Sequence, residues 1–262
     1  DGEFLFIDVD SRGRVLRDGR IASQQESPFE LQFLDVARRD DGTMVVVGSA
    51  GGPLDVDPGD DDHILELPNE SRSLFYVALR PDWTVLTTGV IEGGEQARFH
   101  DVGIRLEENG AMLIYGLFNG AIDLDPGEGV LERVASDGAD FFLLSLDSTG
   151  EPRFMATNPA NLEIEDVQAA ERFSVATNGE SSFFGRPRES AHSESEEARR
   201  IVAHRGRQIL FERMSPTGEV FWSARIWSRS GFRHLEPMGV ATTGRSTIFA
   251  TFFSGAPILD LD

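Results

Sequence analysis

Two sets of turn residues recur along this chain at one interval, and that repetition limits the fold more than any other feature. The first set is glycines that follow polar runs: Gly42 in "LDVARRDDGTMVVVGSAGG", Gly110 in "HDVGIRLEENGAMLIYGLFNG", Gly179 in "FSVATNGESSFFGRP" and Gly244 in "MGVATTGRSTIFATFFSG". Their spacings are 68, 69 and 65 residues. The second set, out of phase with the first, lies after apolar runs: Gly13 in "FLFIDVDSRGRV", Asp82 and Trp83 in "LFYVALRPDWTV", Gly150 in "FFLLSLDSTGEP" and Gly218 in "ILFERMSPTGEV". Two independent landmarks with one period mark internal repeats.

Each period reads as four strands. Strand A is short, as in "DVGIRLEE". A glycine turn leads to strand B, "AMLIYGLFNGAIDLD", and a longer loop to strand C, "DFFLLSLDS". A second glycine turn leads to strand D, as in "EVFWSARIW". Strand C is apolar at nearly every position, as a strand covered on both faces should be. Short strands with glycine turns favour antiparallel pairing. The segment with most helical character, "SESEEARRIVAH" (193–204), falls in a B–C loop and reads as a charged insertion. Four antiparallel strands per repeat, in series, predict an all-β chain built as a β-propeller. Residues 1–262 form one domain in this reading, with repeats over 31–99, 100–165 and 166–234. Residues 1–30 supply strands C and D of a further blade, and 235–262 supply its strands A and B. Two arrangements follow: a closed four-bladed ring fastened by pairing residues 4–9 with 247–254, or a slice of a longer array.

At 262 residues the chain can bury a sizeable core. Its formal net charge of −21 argues against general binding to nucleic acid or anionic membranes, which need clustered positive charge. All 24 basic residues are Arg. The absence of Cys excludes disulfides and thiolate metal sites. No apolar run approaches the roughly 18 residues of a membrane span. The sequence begins at Asp1 without Met or a signal-like segment, as expected of a processed product or a piece of a longer protein.

One motif carries candidate chemistry. Asp-x-Asp-Pro-Gly occurs in "GGPLDVDPGDDD" (51–62) and "FNGAIDLDPGEG" (118–129), and the chain ends on "GAPILDLD" (255–262). Strand alternation puts Ile122 and Leu124 on one face and Asp123 and Asp125 on the other. Carboxylates at i and i+2 are about 7 Å apart at the Cα level. With loop carbonyls they could bridge a hard cation, and Ca²⁺ takes six to eight oxygens. Asp55, Asp57, Asp60, Asp61 and Asp62 form the densest cluster, with Asp123 and Asp125 as the second candidate set. The other reading, which the residue types favour, is structural. Asp side chains accept backbone N–H bonds at turns, Pro-Gly is a turn pair, and acids at a strand end discourage edge pairing.

The remaining candidates read as structural. His63, His100, His192, His204 and His234 show no metal-ligand spacing, and no GxSxG elbow is present. Arg186, Arg188, Arg199, Arg200, Arg205, Arg207 and Arg213 are interspersed with Glu, as on a salt-bridged solvated face. Trp222 and Trp227 fall on opposite faces of strand D, where packing is the default role.

"GADFFLLSLDSTGEPRFM" (138–155) followed by "FSVATNGESSFFG" (173–185), and "PTGEVFW" (216–222) followed by "GVATTGRSTIFAT" (239–251), resemble the bacterial β-propeller repeat called SBBP. The resemblance extends over essentially the whole chain. It departs in the third repeat, where "RPRESAHSESEE" replaces the Asp-x-Asp-Pro-Gly element, and in the fourth, where Thr251 replaces Gly. It implies a module of an exported bacterial surface or envelope protein. The expected role is non-enzymatic binding or scaffolding, with a protein or glycan ligand on the propeller loops. Two alternatives stand beside it: a polysaccharide hydrolase or lyase with acids at the propeller channel, and a structural subunit of an extracellular assembly in which split blades pair between chains.

Overall fold

A computed structural model describes residues 2–24, 30–59, 61–107, 110–135, 138–157, 162–163, 173–176, 178–187, 209–217, 219–227, 234–243, 246–254 and 258–261. The described residues are all-β, with no helix. In chain order the strands are β1 (Glu3–Val9), β2 (Val15–Ser23), β3 (Gln32–Arg38), β4 (Met44–Ala50), β5 (Leu54–Asp55), β6 (Ile64–Leu65), β7 (Ser73–Leu79) and β8 (Val85–Ile91). Then follow β9 (Arg98–Leu106), β10 (Met112–Asn119), β11 (Ala121–Asp123), β12 (Glu132–Val134), β13 (Asp140–Leu146) and β14 (Pro152–Thr157). The last are β15 (Leu162–Glu163), β16 (Phe173–Val175), β17 (Ser181–Pro187), β18 (Ile209–Met214), β19 (Val220–Trp227), β20 (His234–Thr242), β21 (Thr247–Ser254) and β22 (Ile258–Leu261). The stretch 193–204, read as a charged insertion in a B–C loop, lies outside the described residues.

The A-B-C-D strand order expected from the repeat is present in three sheets: β3-β4-β7-β8, β9-β10-β13-β14 and β16-β17-β18-β19. Their third strands, β7, β13 and β18, are buried along their whole length. The turns repeat as well. Gly42, Gly110 and Gly179 each donate to the carbonyl three residues back, and each has a positive φ that an L side chain rarely adopts. Gly13 and Gly150 hold the equivalent place in the C–D turns, and in the remaining described turn Trp83 adopts φ 75° instead. Its ring is held by Phe6 edge-on and by the Arg17 guanidinium 4.0 Å from the ring centroid. Register irregularities recur at matching positions: Asp8/Val9, Ala78/Leu79 and Arg213/Met214 in the C–D hairpins, and Phe33/Asp35, Tyr115/Leu117 and Pro237/Gly239 in the A–B hairpins. Sequence repeats have become structural repeats down to their bulges.

The chain divides into two compact units, residues 1–135 with 144–153, and residues 136–143 with 154–262. In the first unit, Ile21, Val46, Leu54, Val56, Phe75 and Val77 form a core, with Phe4 and Phe6 packed against it. Strand β3 runs beside β9 in this unit, and the Ile104 amide donates to Asp35 Oδ2 at 2.9 Å. In the second unit, Ile209, Phe211 and Ala224 pack with Trp222, Ile226, Val240 and Phe249. Phe141, Phe173 and Phe183 form an aromatic cluster there, with ring centroids 4.5–6.5 Å apart. Strand β16 runs beside β20, and the Thr242 amide donates to Ser174 Oγ at 3.0 Å. Adjacent A strands are thus tied directly to one another within each unit.

The ends of the chain differ from the expected ring. Residues 4–9 and 247–254 do not pair: β1 pairs with β2 in the sheet β1-β2-β5-β6, and β21 pairs with β20 in a sheet of two. Phe141, Leu143, Phe75, Val77, Leu210, Val45, Val47, Leu113 and Phe183 are buried, whereas Ile248 is exposed and Phe4 and Phe6 are only half-buried.

Candidate functional site

The Asp-x-Asp strands leave their own sheet and add to the last strand of the preceding one. Strand β5 pairs with β2 through Ala22↔Asp55 and Ser23↔Leu54. At the equivalent places after β8, Gly93 bridges Ile122, and the Asp123 amide donates to the Glu92 carbonyl at 2.8 Å. The terminal copy does the same, with β22 along β19 from Trp227↔Ile258 to Ala224↔Leu261. The alternation read from sequence holds: Leu54, Val56, Ile122 and Leu124 are fully buried, while Asp55, Asp57, Asp123 and Asp125 are half-exposed.

The carboxylates are engaged in the same way in both internal copies. Asp55 Oδ1 accepts the amides of Asp57 (3.2 Å) and His63 (3.0 Å), and Asp57 Oδ1 accepts that of Gly59 (2.7 Å). Asp123 Oδ1 accepts the amides of Asp125 (3.1 Å) and Leu131 (2.7 Å), and Asp125 Oδ1 accepts that of Gly127 (2.9 Å). The intervening apolar residues add one main-chain bond each, Val56 N–H to His63 O and Leu124 N–H to Leu131 O, both at 3.0 Å. The first Asp therefore clamps both ends of its loop, and the second starts the turn. The Pro58 carbonyl accepts the Arg20 amide at 3.3 Å, and a Cβ on Gly19 would lie 2.2 Å from that oxygen. Strand D needs glycine there for the loop to seat.

Of the other candidate ligands, Asp61 and Asp62 are exposed on the loop tip, and Asp60 lies outside the described residues. Among the described residues, no group of three or more His, Asp or Glu side chains is placed to hold a metal ion. In the third repeat β17 pairs with β15 through Leu162↔Pro187 and Glu163↔Arg186, and residues 188–208 lie outside the described part. That omits His192, His204, Arg188, Arg199, Arg200, Arg205 and Arg207. His63 is exposed, and His100 Nε2 lies 2.9 Å from Asn119 Oδ1. Trp222 packs edge-on to Phe249.

Two charged residues, Glu212 and Asp101, escaped the sequence reading, and a third, Arg213, was expected on a solvated face but is buried. Glu212 occupies a place in β18 that is Ile7, Val77 and Leu144 in the other C strands, and only 2% of it is exposed. Ser223 donates to its Oε1 at 3.2 Å, while Oε2 is buried without a hydrogen-bond partner. Burial pushes its carboxyl above the ordinary range, against the lowering effects of the Ser223 bond and the Arg225 charge. Its neighbour Arg213 points to the other face, where it is buried against Glu180 and the Thr243 carbonyl. Asp101 lies at the β9 bulge with φ 48° and a buried Oδ2 without a partner; burial raises its carboxyl, with His100 opposing. The available signal for Glu212 was "ILFERM" beside "LFYVAL" and "FFLLSL": a charge inside a strand that is otherwise apolar.

The chain matches no protein-family model, and no curated protein matches it. No helix among the described residues is long and apolar enough to cross a membrane.

Proposed function

We propose that this chain is a non-enzymatic binding or scaffold module with β-propeller architecture, of the SBBP repeat type, in an exported bacterial surface or envelope protein. The observation that carries the reading is the identical bracing of the loops at 55–63 and 123–131. The motif with the most chemical potential engages one oxygen of each carboxylate, Oδ1, with backbone amides and holds a loop tip in a fixed place. Preorganised loops on a rigid sheet framework suit recognition rather than turnover. The radial order of a propeller is supported by successive A strands lying side by side, β3 with β9 and β16 with β20.

The test is retention on a panel of immobilised envelope polysaccharides and envelope proteins, with product release followed in parallel. The reading expects saturable retention without release of reducing ends or fragments, weakened by Asp61→Asn with Asp62→Asn or by Glu128→Gln at the loop tips. Release of product that Glu212→Gln abolishes would replace it with the hydrolase or lyase reading.

A further inference from the structure

Asp101 breaks a pattern that the A–B hairpins otherwise share. Each hairpin has its irregularity at the same place, Phe33/Asp35 along β3, Tyr115/Leu117 along β10 and Pro237/Gly239 along β20. Aligning the strand-B residues Gly48, Gly116 and Thr251 sets Asp101 at the place of Phe33 and Pro237, and His100 at the place of Gln32 and Glu236. The shift in the second hairpin leaves Asp101 and Val102 opposite Gly116, where a Cβ would lie 2.9 Å from Val102 Cγ2 and 3.1 Å from the His100 carbonyl. Among the described residues, Trp83 and Asp101 alone have a positive φ without being glycine. The bulge therefore does not demand a left-handed residue, since Phe33 and Pro237 hold the same place without one.

For stability alone, aspartate is a poor choice here. Its backbone is left-handed at φ 48°, and its Oδ2 is buried without a hydrogen-bond partner. Burial raises its carboxyl above the ordinary range, with His100 opposing. An outlier that the fold does not require points to a use beyond folding. Two polar side chains stand with it. His100 Nε2 lies 2.9 Å from Asn119 Oδ1, which can only accept, so Nε2 carries the hydrogen and Nδ1 is the acceptor of the neutral ring. Asp101, His100 and Asn119 are all partly open to solvent, and all belong to the first unit.

We propose that Asp101, His100 and Asn119 hold one sugar residue of a glycan through its hydroxyl groups, at a site separate from the loop tips. A hydroxyl donates to a carboxyl or an imidazole nitrogen and accepts from an amide, so neighbouring hydroxyls of one sugar ring answer all three groups. Other occupants fit less well. An anion would meet the Asp101 carboxyl in a chain of net charge −21. A metal ion would need further ligands, and among the described residues no group of three or more His, Asp or Glu is placed to supply them. An ammonium group would need Asp101 ionised, which burial disfavours, and would face the imidazole once that is protonated. The assignment rests on the binding reading given above and not on any ligand of the loop tips.

Proton resonances of the His100 ring, assigned by their loss in His100→Gln, report on the site directly. The probes are glucose, galactose, mannose, rhamnose and N-acetylglucosamine, with glucosamine as the cationic arm. The expected result is a saturable shift of the His100 resonances by at least one neutral sugar, weakened about tenfold or more by Asp101→Asn. Asn removes the ionisable group and tolerates a left-handed φ, so Asp101→Asn should melt at or above the wild-type temperature. No response to any neutral sugar, a response to glucosamine alone, or a response that Asp101→Asn leaves unchanged would overturn the assignment. A lower melting temperature for Asp101→Asn would overturn it too, by making Asp101 a residue that the fold needs. Asp61→Asn with Asp62→Asn should leave the His100 response unchanged. Retention at the loop tips is thus read separately, and either proposal can fail alone.

Discussion

Replacing Asp123 with Ala removes the acceptor of two backbone amides, Asp125 at 3.1 Å and Leu131 at 2.7 Å. A hydrogen bond to a charged group contributes about 1.5–3 kcal/mol when well shielded, and a buried donor left unpaired costs about 1–3 kcal/mol. This loop is half-exposed, so water replaces part of what is lost, and a net cost of about 2 kcal/mol follows for the two bonds together. At roughly 2–4 °C per kcal/mol for a chain of this size, the melting temperature should fall by about 4–8 °C. Asp55→Ala should cost about the same, because its two bonds are equivalent. The double variant should be close to additive, since the two loops share no hydrogen-bond partner. Asn keeps an oxygen in the Oδ1 position, so Asp123→Asn should lose less than half as much. Thermal melts of these variants, each run with excess Ca²⁺ and with chelator, separate the two readings of the motif. A structural clamp predicts the order Ala below Asn below wild type under both conditions. No change on Asp123→Ala, or a stability gain with Ca²⁺ that Asp55→Asn with Asp57→Asn erases, would refute the clamp and restore the cation.

Gly19→Ala should destabilise by about 1–3 kcal/mol in chemical denaturation, because its Cβ would meet the main-chain oxygen of Pro58 at 2.2 Å. Gly129→Ala, whose Cβ meets only the movable Asp125 carboxylate, should cost less. Arg213→Ala should cost about 2–3 kcal/mol by leaving the partly exposed Glu180 and the Thr243 carbonyl without their partner, measurable as a drop in denaturation midpoint. For Glu212 the folded carboxyl lies above its unfolded value. Its contribution is therefore fully present below the unfolded carboxylate range and is lost as pH rises through that range toward the folded value. Stability against pH should fall less steeply for Glu212→Gln than for wild type over that window, and parallel curves would show that Glu212 does not titrate there.

Local chemistry was legible and distant partnership was not. Gly42, Gly110 and Gly179 could be read as turns because a positive φ is written into the residue type. The C strands could be read because burial on both faces demands apolar residues throughout. Asp55 and Asp123 could be read as loop acceptors for the same local reason. That their strands add to β2 and β8, the last strands of the preceding sheets, has no local signature: Leu54 and Ile122 pattern like any strand residue, and only small Gly19 hints at the Pro58 carbonyl seated on it. Ile248 lies on a strand B like Val45 and Leu113 but is exposed, and among the described residues β21 pairs with β20 alone. Trp83 at a left-handed turn position reads as an anomaly until Phe6 and Arg17 are seen holding its ring.

The central claim is that Asp-x-Asp segments are strands joining each sheet to the one before it. Amide hydrogen exchange resolved by residue tests this most directly. The Asp123 amide, bonded to the Glu92 carbonyl, and the Leu131 amide, bonded to Asp123, should exchange slowly with or without Ca²⁺, and Asp123→Ala should release Leu131. If residues 121–131 instead exchange as fast as an open loop in the wild-type protein, the segment is not a strand and the account fails.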